Sequence, residues 1–382
     1  MKLRVLHVTP DDKFFDLVIP KWDNDIFENR AILFANNKNY QIKYIKATNL
    51  VKIIWSDMMA KDCLMSNDYD IVLFHSLPSK LYKYFKYIPE DKIVIWWGWG
   101  YDIYFQSQGL SPFIKVDLYK PLTFNYVESV SSKILRFLHE MRWFFLKPYN
   151  IKRRNYVLSR IDYFQPGLDY EYRLMKQVNT FKAKEFYDLP VGSSYPVGFP
   201  YDNICMKESN GNILLGNSAS PTNNHLDLLH IIQAKKQSGQ QILIPLSYGD
   251  SKYANWLINR IDRKNVQTIL DFMPLDEYMK LFDSCSYAVI GSIRQQAMWN
   301  VFYALSRGIK VFLYKDSIMY KSLINMGYVV YAIDDITSNS FEIPLSPAEN
   351  EINRQAQEKE AIRRRNVYNV FVREMTKRHI QI

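Results

Sequence analysis

Residues 212–232 read NILLGNSASPTNNHLDLLHII, and this stretch decides the fold. A short apolar strand ends at a glycine, a turn of small and amide residues follows, and an apolar helix begins at His225. Further strands are predicted at 241–246, 266–270, 287–290, 310–314 and 329–333. Helices are predicted at 225–236, 253–261, 275–283, 297–306 and 316–326. This alternation predicts βαβ units and a parallel sheet with helices on both faces.

The first half of the chain shows the same alternation less regularly. Its predicted strands lie at 3–8, 41–45, 70–74, 92–96 and 161–164. Its predicted helices lie at 22–35, 51–60, 80–87 and 133–145. A stretch rich in Gly, Pro and Ser at 191–200 marks a domain boundary. We therefore predict an α/β protein with two Rossmann-like, doubly wound domains that face a cleft. Their predicted limits are 1–195 and 196–346, and a helical tail covers 347–382.

Composition narrows the class of protein. A chain of 382 residues suits two α/β domains, and 48% hydrophobic with 23% charged residues is typical of a globular protein. No apolar run is long enough to span a bilayer, and the N-terminus lacks the apolar core of a signal peptide. The three cysteines are not spaced as metal ligands or as a disulfide framework. These features predict a cytoplasmic protein.

The loop after the strand at 212–215 has the residue types that bind phosphate. It contains Gly216, Asn217, Ser218 and Asn223 before the helix at His225. Such a turn exposes backbone N–H groups, and a helix N-terminus favours anions. The alternative interpretation is an ordinary strand-to-helix turn with Asn and Ser caps.

A second loop with phosphate-binding character follows the strand at 287–290. It contains Ser292, Arg294, Gln295 and Gln296. The guanidinium offers a planar donor fork to phosphate oxygens, and the amides can bond ribose or sugar hydroxyls. A helix start with solvated polar residues is the alternative. Tyr248, in the loop after the strand at 241–246, is a further candidate that could stack on a base or donate a hydrogen bond to a phosphate. The alternative is that this loop is an ordinary turn.

The first half carries an aromatic motif at the end of a strand, WWGWGYDIY at residues 96–104. Aromatic faces stack on sugar rings, so Trp97, Trp99 and Tyr101 are candidates for binding an acceptor sugar. An aromatic corner of the core is the alternative, because aromatic residues mostly serve cores.

Three residues at predicted strand ends of the first domain are candidates for a general base. Asp102 ranks first, because burial beside aromatic residues raises the pKa of a carboxyl. His75 ranks second, since it titrates near neutrality but its sequence neighbours suggest no orienting partner. Asp12 follows the first strand and is a third candidate, whereas His7, inside that strand, is interpreted as structural.

The net charge of +10 is concentrated in one segment. Residues 133–154 contain seven basic residues and one acid, so 7 − 1 = 6 of the excess charges lie there. Basic residues mixed with aromatics favour an anionic membrane surface. The alternatives are a solvated face and a nucleic-acid site, but no nucleic-acid motif accompanies the segment, so we expect no nucleic-acid partner. The candidate membrane residues are Arg136, Arg142, Trp143, Phe144, Lys152, Arg153 and Arg154.

In this order, the motifs resemble the bacterial TDP-N-acetylfucosamine:lipid II N-acetylfucosaminyltransferases, or 4-alpha-L-fucosyltransferases, of glycosyltransferase family 56. The matching segments are WGYDIY at 99–104, ILLGNS at 213–218 with Asn223 and His225, Pro245 with Tyr248, and 276–278 with Arg294-Gln295-Gln296. The resemblance implies a GT-B fold. It also implies transfer of an amino-deoxy sugar from a dTDP-sugar donor to an undecaprenyl-diphosphate-linked saccharide for a surface polysaccharide. Such an enzyme would work as a peripheral protein on the inner face of the cell membrane.

The predicted chemistry needs no metal and no other cofactor. No D-x-D motif stands at a usual donor site, since Asp68-Tyr69-Asp70 opens a strand. Arg294, backbone N–H groups and helix N-termini are expected to neutralise the donor diphosphate. The alternative functions are a nucleotide-sugar epimerase of GT-B-like fold, which would need no membrane surface, and a non-catalytic membrane-surface protein.

Overall fold

The computed structural model describes residues 2–12, 14–22, 25–104, 117–130, 149, 151–188 and 211–380. The chain divides into two compact units. The first unit comprises Met1–Lys115, Phe137–Val191 and Ile362–Ile382, and the second comprises Val116–Arg136 and Gly192–Ala361. The division differs from the predicted limits in two ways. The segment Val116–Arg136, from the first half of the sequence, belongs to the second unit, and the predicted tail is divided between the units after Ala361.

The first unit contains a parallel sheet of seven strands in the order β3-β2-β1-β4-β5-β6-β7. The strands are β1 Leu3–Thr9, β2 Phe27–Phe34, β3 Val51–Ile54, β4 Ile71–Phe74, β5 Ile93–Trp97, β6 Tyr163–Gln165 and β7 Lys184–Glu185. Its helices are α1 Phe15–Trp22, α2 Asp57–Leu64, α3 Tyr101–Tyr104 and α5 Asp169–Lys176. The intervening helix, α4 Pro121–Val130, belongs to the second unit. A 3₁₀ helix covers Ser79–Tyr87, and residues 151–159 are also helical.

Three predictions in this unit are wrong. The predicted helix at 22–35 is β2, which lies parallel to β1 with Leu3 opposite Phe27. The predicted strand at 41–45 is irregular, and the predicted helix at 51–60 begins as β3 before α2. In β2, three polar residues separate Phe27 from the buried residues 31–33, a spacing that an amphipathic helix would also show. Pairing with β1 places this segment in the sheet.

The second unit contains a parallel sheet of six strands in the order β10-β9-β8-β11-β12-β13. The strands are β8 Asn212–Leu215, β9 Ile242–Pro245, β10 Val266–Ile269, β11 Cys285–Ile290, β12 Lys310–Leu313 and β13 Tyr331–Ala332. The helices are α4 Pro121–Val130, α6 His225–Gln233, α7 Ser251–Ile258, α8 Leu275–Asp283, α9 Met298–Ser306 and α10 Ile318–Met326. The strands β9, β11 and β12 are buried along their whole length, as expected for a sheet covered on both faces.

The last helix, α11 Pro347–Ile380, confirms the predicted helical tail. Near its start, Asn353 accepts a hydrogen bond from the backbone N–H of Val329 in the second unit, at 2.6 Å. Near its end, Phe371 and Met375 are buried in the core of the first unit, where Phe371 contacts Trp22 and Phe186. The helix therefore contributes side chains to each unit separately.

The segment 117–130 was not expected in the second unit. Helix α4 packs against α6, and the Asp227 carboxylate accepts bonds from the backbone N–H groups of Leu122 and Thr123 at 2.8 and 3.0 Å. The carboxylate thereby caps the exposed N–H groups at the start of α4. The backbone N–H of Lys120 donates to Asn224 Oδ1 at 2.8 Å, which ties the segment to the predicted phosphate loop.

Candidate functional site

The second sheet reverses its strand order between β8 and β11. In doubly wound folds, the loops at the carboxyl ends of two such strands diverge to opposite faces, and ligands bind where they separate. The loop after β8 begins at Gly216 and the loop after β11 begins at Gly291. These are the two loops that the sequence predicts to bind a donor, so the fold brings both motifs to one point.

The two loops are joined by hydrogen bonds. Gln296 Oε1 accepts from Thr222 Oγ1 at 2.5 Å, and Gln296 Nε2 donates to Asn217 Oδ1 at 3.3 Å. The side chain of Asn224 donates to the carbonyl of Gly291 at 2.8 Å. The donor motifs therefore form one connected structure.

Gly291 allows the close approach of the two loops, and Gly216 allows the first loop to pack tightly against the start of its own helix. Gly216 has a φ of +69°, and a Cβ on it would lie 2.6 Å from His225 Nε2. A Cβ on Gly291 would lie 2.4 Å from the carbonyl oxygen of Asn223. Any side chain at either position would separate the loops or displace their backbone.

Several buried polar atoms of the site lack a partner among the described residues. They are Asn223 Oδ1, His225 Nε2, Ser292 Oγ and Gln295 Oε1. The Asn223 amide donates to the carbonyl of Ser218 at 2.9 Å, which orients its oxygen. Buried polar groups are nearly always hydrogen-bonded, so these atoms indicate bound water or ligand at the switch point.

Arg294 is half-buried in the second loop, and its Nη1 donates to the carbonyl of Gln295 at 2.8 Å. Tyr119 lies within range of its charge: burial raises the pKa of the Tyr119 hydroxyl and Arg294 lowers it. Ala297, directly after the motif, has a φ of +57°, a strained conformation for a residue with a side chain. Tyr248 is 78% exposed in the neighbouring loop, and its carbonyl accepts a bond from Ala219 N–H at 2.7 Å.

The first sheet has its own reversal between β1 and β4. Asp12 follows β1, His75 follows β4, and the aromatic motif follows the next strand, β5. A cavity of about 440 Å³ opens at these strand ends, lined among others by Thr9, Ser76 and Tyr101. The predicted base and acceptor residues therefore lie at one edge of this sheet.

The Asp102 carboxylate has both oxygens engaged. Oδ2 accepts from the backbone N–H of Leu77 and from the indole of Trp96, and Oδ1 accepts from the backbone N–H of Trp99, each at 2.8 Å. Burial raises the pKa of Asp102, and these hydrogen bonds lower it. The carboxylate ties the loop after β4 to the loop after β5.

His75 has an orienting partner that the sequence interpretation missed. Its Nε2 lies 2.9 Å from Nδ1 of His7, and His7 Nε2 lies 3.0 Å from Asn29 Oδ1. Burial lowers the pKa of His7 to about 4 and that of His75 well below its usual value. The only signal in the sequence is His7, a polar residue inside an apolar strand. Its contact with His75 depends on the register of β1 and β4.

Asp12 and the aromatic residues complete this edge. Asp12 Oδ1 accepts from the backbone N–H of Phe14 at 2.9 Å, and burial raises the pKa of the carboxyl. The rings of Trp97 and Trp99 lie 4.9 Å apart, and Phe14 lies 4.8 Å from Trp99. Both tryptophans are half-buried, so they keep part of their surface accessible.

Of the predicted membrane residues, Lys152, Arg153 and Arg154 lie in the helical residues 151–159, with Lys152 exposed and the other two half-buried. Arg136, Arg142, Trp143 and Phe144 lie outside the described residues. None of the helices in the described parts of the chain has the length and apolar character that crossing a bilayer requires. The same residues contain no group of three or more His, Cys, Asp or Glu placed to hold a metal ion, and metal independence stays a prediction.

Several solved structures that share this fold are described as sugar-transferring enzymes or were solved with a nucleotide sugar. Anabaena HepE, solved with UDP-glucose, is similar over 100% of both chains with a TM-score of 0.56 and 12% identity. AviGT4, a glycosyltransferase involved in avilamycin A biosynthesis, is similar over 98% of this chain and 97% of its own, with a TM-score of 0.51 and 11% identity. Trehalose 6-phosphate synthase from Burkholderia multivorans is similar over 100% and 98%, with a TM-score of 0.58 and 9% identity. These likenesses confirm the predicted GT-B fold.

The fold and the family match together identify a glycosyltransferase of the GT-B type. The family matched is 4-alpha-L-fucosyltransferase, glycosyl transferase group 56, over residues 196–345. That range contains both loops at the switch point of the second sheet, and it confirms the family resemblance found in the sequence.

Proposed function

We propose that the protein transfers an amino-deoxy sugar of the N-acetylfucosamine type from a dTDP-sugar to an undecaprenyl-diphosphate-linked saccharide. The reaction serves surface polysaccharide biosynthesis on the inner face of the cell membrane. The acceptor hydroxyl attacks the anomeric carbon, the bond from that carbon to the diphosphate oxygen breaks, and a base takes the hydroxyl proton. The products are the extended lipid-linked saccharide and dTDP.

One observation carries the donor assignment. The two loops that diverge at the switch point of the second sheet are joined through Gln296. They also hold buried polar atoms for which the described part of the chain offers no partner. Phosphate binds well at such a place, because backbone N–H groups and helix N-termini favour an anion. HepE, which has this fold, was solved with UDP-glucose, and this supports a nucleotide-sugar donor.

The diphosphate would be held without metal. Helices α6 and α9 both begin in these loops, and Arg294 supplies a guanidinium fork beside them. A leaving diphosphate gains negative charge as the glycosidic bond breaks, and oriented donors stabilise that charge in a site of low dielectric. Gln295 Oε1 is available to a sugar or ribose hydroxyl, and the exposed ring of Tyr248 to a base.

The acceptor would be bound by the first unit. The half-buried rings of Trp97 and Trp99 offer apolar faces of the size of a sugar ring. The basic segment at 133–154 would bind, through its positive charge, the anionic membrane surface that carries the lipid-linked acceptor.

The test is a transfer assay on the full chain. Nucleotide sugars that differ in base and in sugar are incubated with undecaprenyl-diphosphate-linked saccharides, and products are identified by mass spectrometry. We expect transfer from a dTDP-amino-deoxy sugar. Arg294→Ala should lose transfer, whereas Arg260→Ala, a change of the same type in the exposed turn after α7, should retain it. Conversion of the donor sugar without any acceptor would identify an epimerase and contradict the proposal.

A further inference from the structure

A chain of hydrogen bonds in the first unit fixes where two buried histidines carry their protons. It begins at the backbone carbonyl of Trp22, which can only accept a hydrogen bond. Asn29 Nδ2 donates to this carbonyl at 2.9 Å, so the amide oxygen of Asn29 must face the other way. That oxygen lies 3.0 Å from Nε2 of His7, and His7 therefore carries its proton on Nε2.

The next link follows from the neutrality of His7. Burial lowers the pKa of this ring to about 4, so at neutral pH it holds one proton, which is the one on Nε2. Its Nδ1 is then a bare acceptor, and it lies 2.9 Å from Nε2 of His75. A hydrogen bond at this distance requires His75 to donate from Nε2.

The chain ends at Nδ1 of His75. His75 is also neutral because burial lowers its pKa, so a proton on Nε2 leaves Nδ1 unprotonated. Among the described residues, no hydrogen bond is made to this nitrogen. The ring is held by packing as well, with Phe15 at 5.6 Å and Trp97 at 5.9 Å between ring centroids.

We propose that His7 and Asn29 are positioning residues that hold His75 in its Nε2–H tautomer, so that His75 Nδ1 accepts the proton of the acceptor hydroxyl. The proposal rests on the sugar transfer proposed above. As the oxygen bonds to the anomeric carbon, its proton moves to Nδ1, and the imidazolium that forms donates from Nε2 to His7. The proton returns to water after the product leaves.

The other two candidate bases differ from His75 in their hydrogen bonding. Both oxygens of Asp102 already accept hydrogen bonds from three N–H donors, which stabilise the loops. Asp12 accepts a bond from a backbone N–H at the start of α1. Of the three, His75 offers a lone pair whose direction is set by a chain of three further groups.

The test combines histidine NMR with kinetics on the full chain. Labelling with ¹⁵N-histidine gives six ring systems, and long-range ¹H–¹⁵N correlation reports the tautomer of each. Signals are assigned with His7→Gln and His75→Gln. We expect both rings as neutral Nε2–H tautomers at pH 7 in the parent protein. In Asn29→Leu, His7 loses its acceptor, so His75 should gain a population with the proton on Nδ1.

Kinetics then connect the tautomer to the reaction. His75→Gln should lower kcat by about 10²–10⁴-fold, the range of a general base. Asn29→Leu should lower kcat by about 10–100-fold, the scale of effect seen when a group that orients another site residue is removed, and the KM for the donor should be unchanged. Asn39→Leu, the same change at an exposed asparagine of the first unit, is the control and should keep the parent kcat.

Each outcome decides one of the two proposals. Absence of sugar transfer in the parent protein refutes the proposed function, whatever the tautomers are. Transfer by a parent protein whose His75 carries its proton on Nδ1 overturns the positioning role alone. Transfer with the parent kcat in Asn29→Leu overturns it as well, because the tautomer would then not matter.

Discussion

Replacing Gly291 by alanine tests whether the two donor loops must touch. The new Cβ would lie 2.4 Å from the carbonyl oxygen of Asn223 and 2.6 Å from Leu228 Cδ1. Contacts below about 3 Å are not tolerated, so the loops must separate by at least 3.0 − 2.4, or about 0.6 Å. The Gln296–Asn217 bond is already 3.3 Å long and would be lost by such a movement.

Two effects of Gly291→Ala are expected. Overpacking should lower the free energy of unfolding by about 1–3 kcal/mol, measured by urea titration. Loss of a hydrogen bond that joins the loops, worth about 0.5–1.5 kcal/mol, should weaken dTDP binding by up to about 10-fold in calorimetry. The control is Gly239→Ala. Gly239 has a φ of +87°, and no atom of the described residues lies within 4 Å of the position of its Cβ, so the expected effect is backbone strain without a clash. Parent stability and parent dTDP affinity in Gly291→Ala would refute the close approach of the loops.

Three further predictions concern the donor, the pH dependence of stability and the membrane. Arg294→Ala should weaken dTDP binding by about 1.5–3 kcal/mol, the scale of a charged hydrogen bond, and unchanged affinity in calorimetry would count against the site. Burial lowers the pKa of His225 to about 3, so only the unfolded state takes up its proton below about pH 6.5. The contribution of His225 to the free energy of unfolding is therefore complete above pH 6.5 and falls as the pH drops toward 3. At pH 5 the loss is about 2 kcal/mol. His225→Gln should flatten the urea-derived stability between pH 7 and pH 5, and an unchanged slope would contradict the assignment. Finally, the full chain should bind anionic vesicles more weakly as salt rises, whereas equal binding to neutral vesicles would exclude an electrostatic membrane contact.

The second unit could be predicted from the sequence almost element by element. Strand β8 and helix α8 have the limits that the pattern predicts, because buried parallel strands are continuous apolar runs separated by turn residues. The two donor loops could also be predicted to meet, since the strand order of a doubly wound sheet brings the first and fourth strands together.

The first unit was harder because a strand inside its sheet is partly polar. Strand β2 buries Phe27 and the residues 31–33 but carries exposed polar residues between them, so its character depends on the neighbouring strand β1. The spacing of apolar residues in such a segment does not distinguish a helix from a strand.

The contacts of the site that the sequence could not give are all long-range. His7 and His75 are 68 positions apart, and they meet because β1 and β4 pair in parallel with His7 opposite Leu73. Likewise, nothing in the composition of residues 117–130 indicates that Asp227 caps helix α4, or that Tyr119 lies near Arg294. Local patterns define the elements, whereas register and packing define the neighbours.

Diffraction from crystals of the full chain grown with dTDP would show where the donor nucleotide binds. We expect the diphosphate at the switch point of the second sheet, with its oxygens bonded to Arg294 and to backbone N–H groups of the loops that begin at Gly216 and Gly291. Nucleotide density at any other place, with these loops unchanged and occupied only by water, would contradict it.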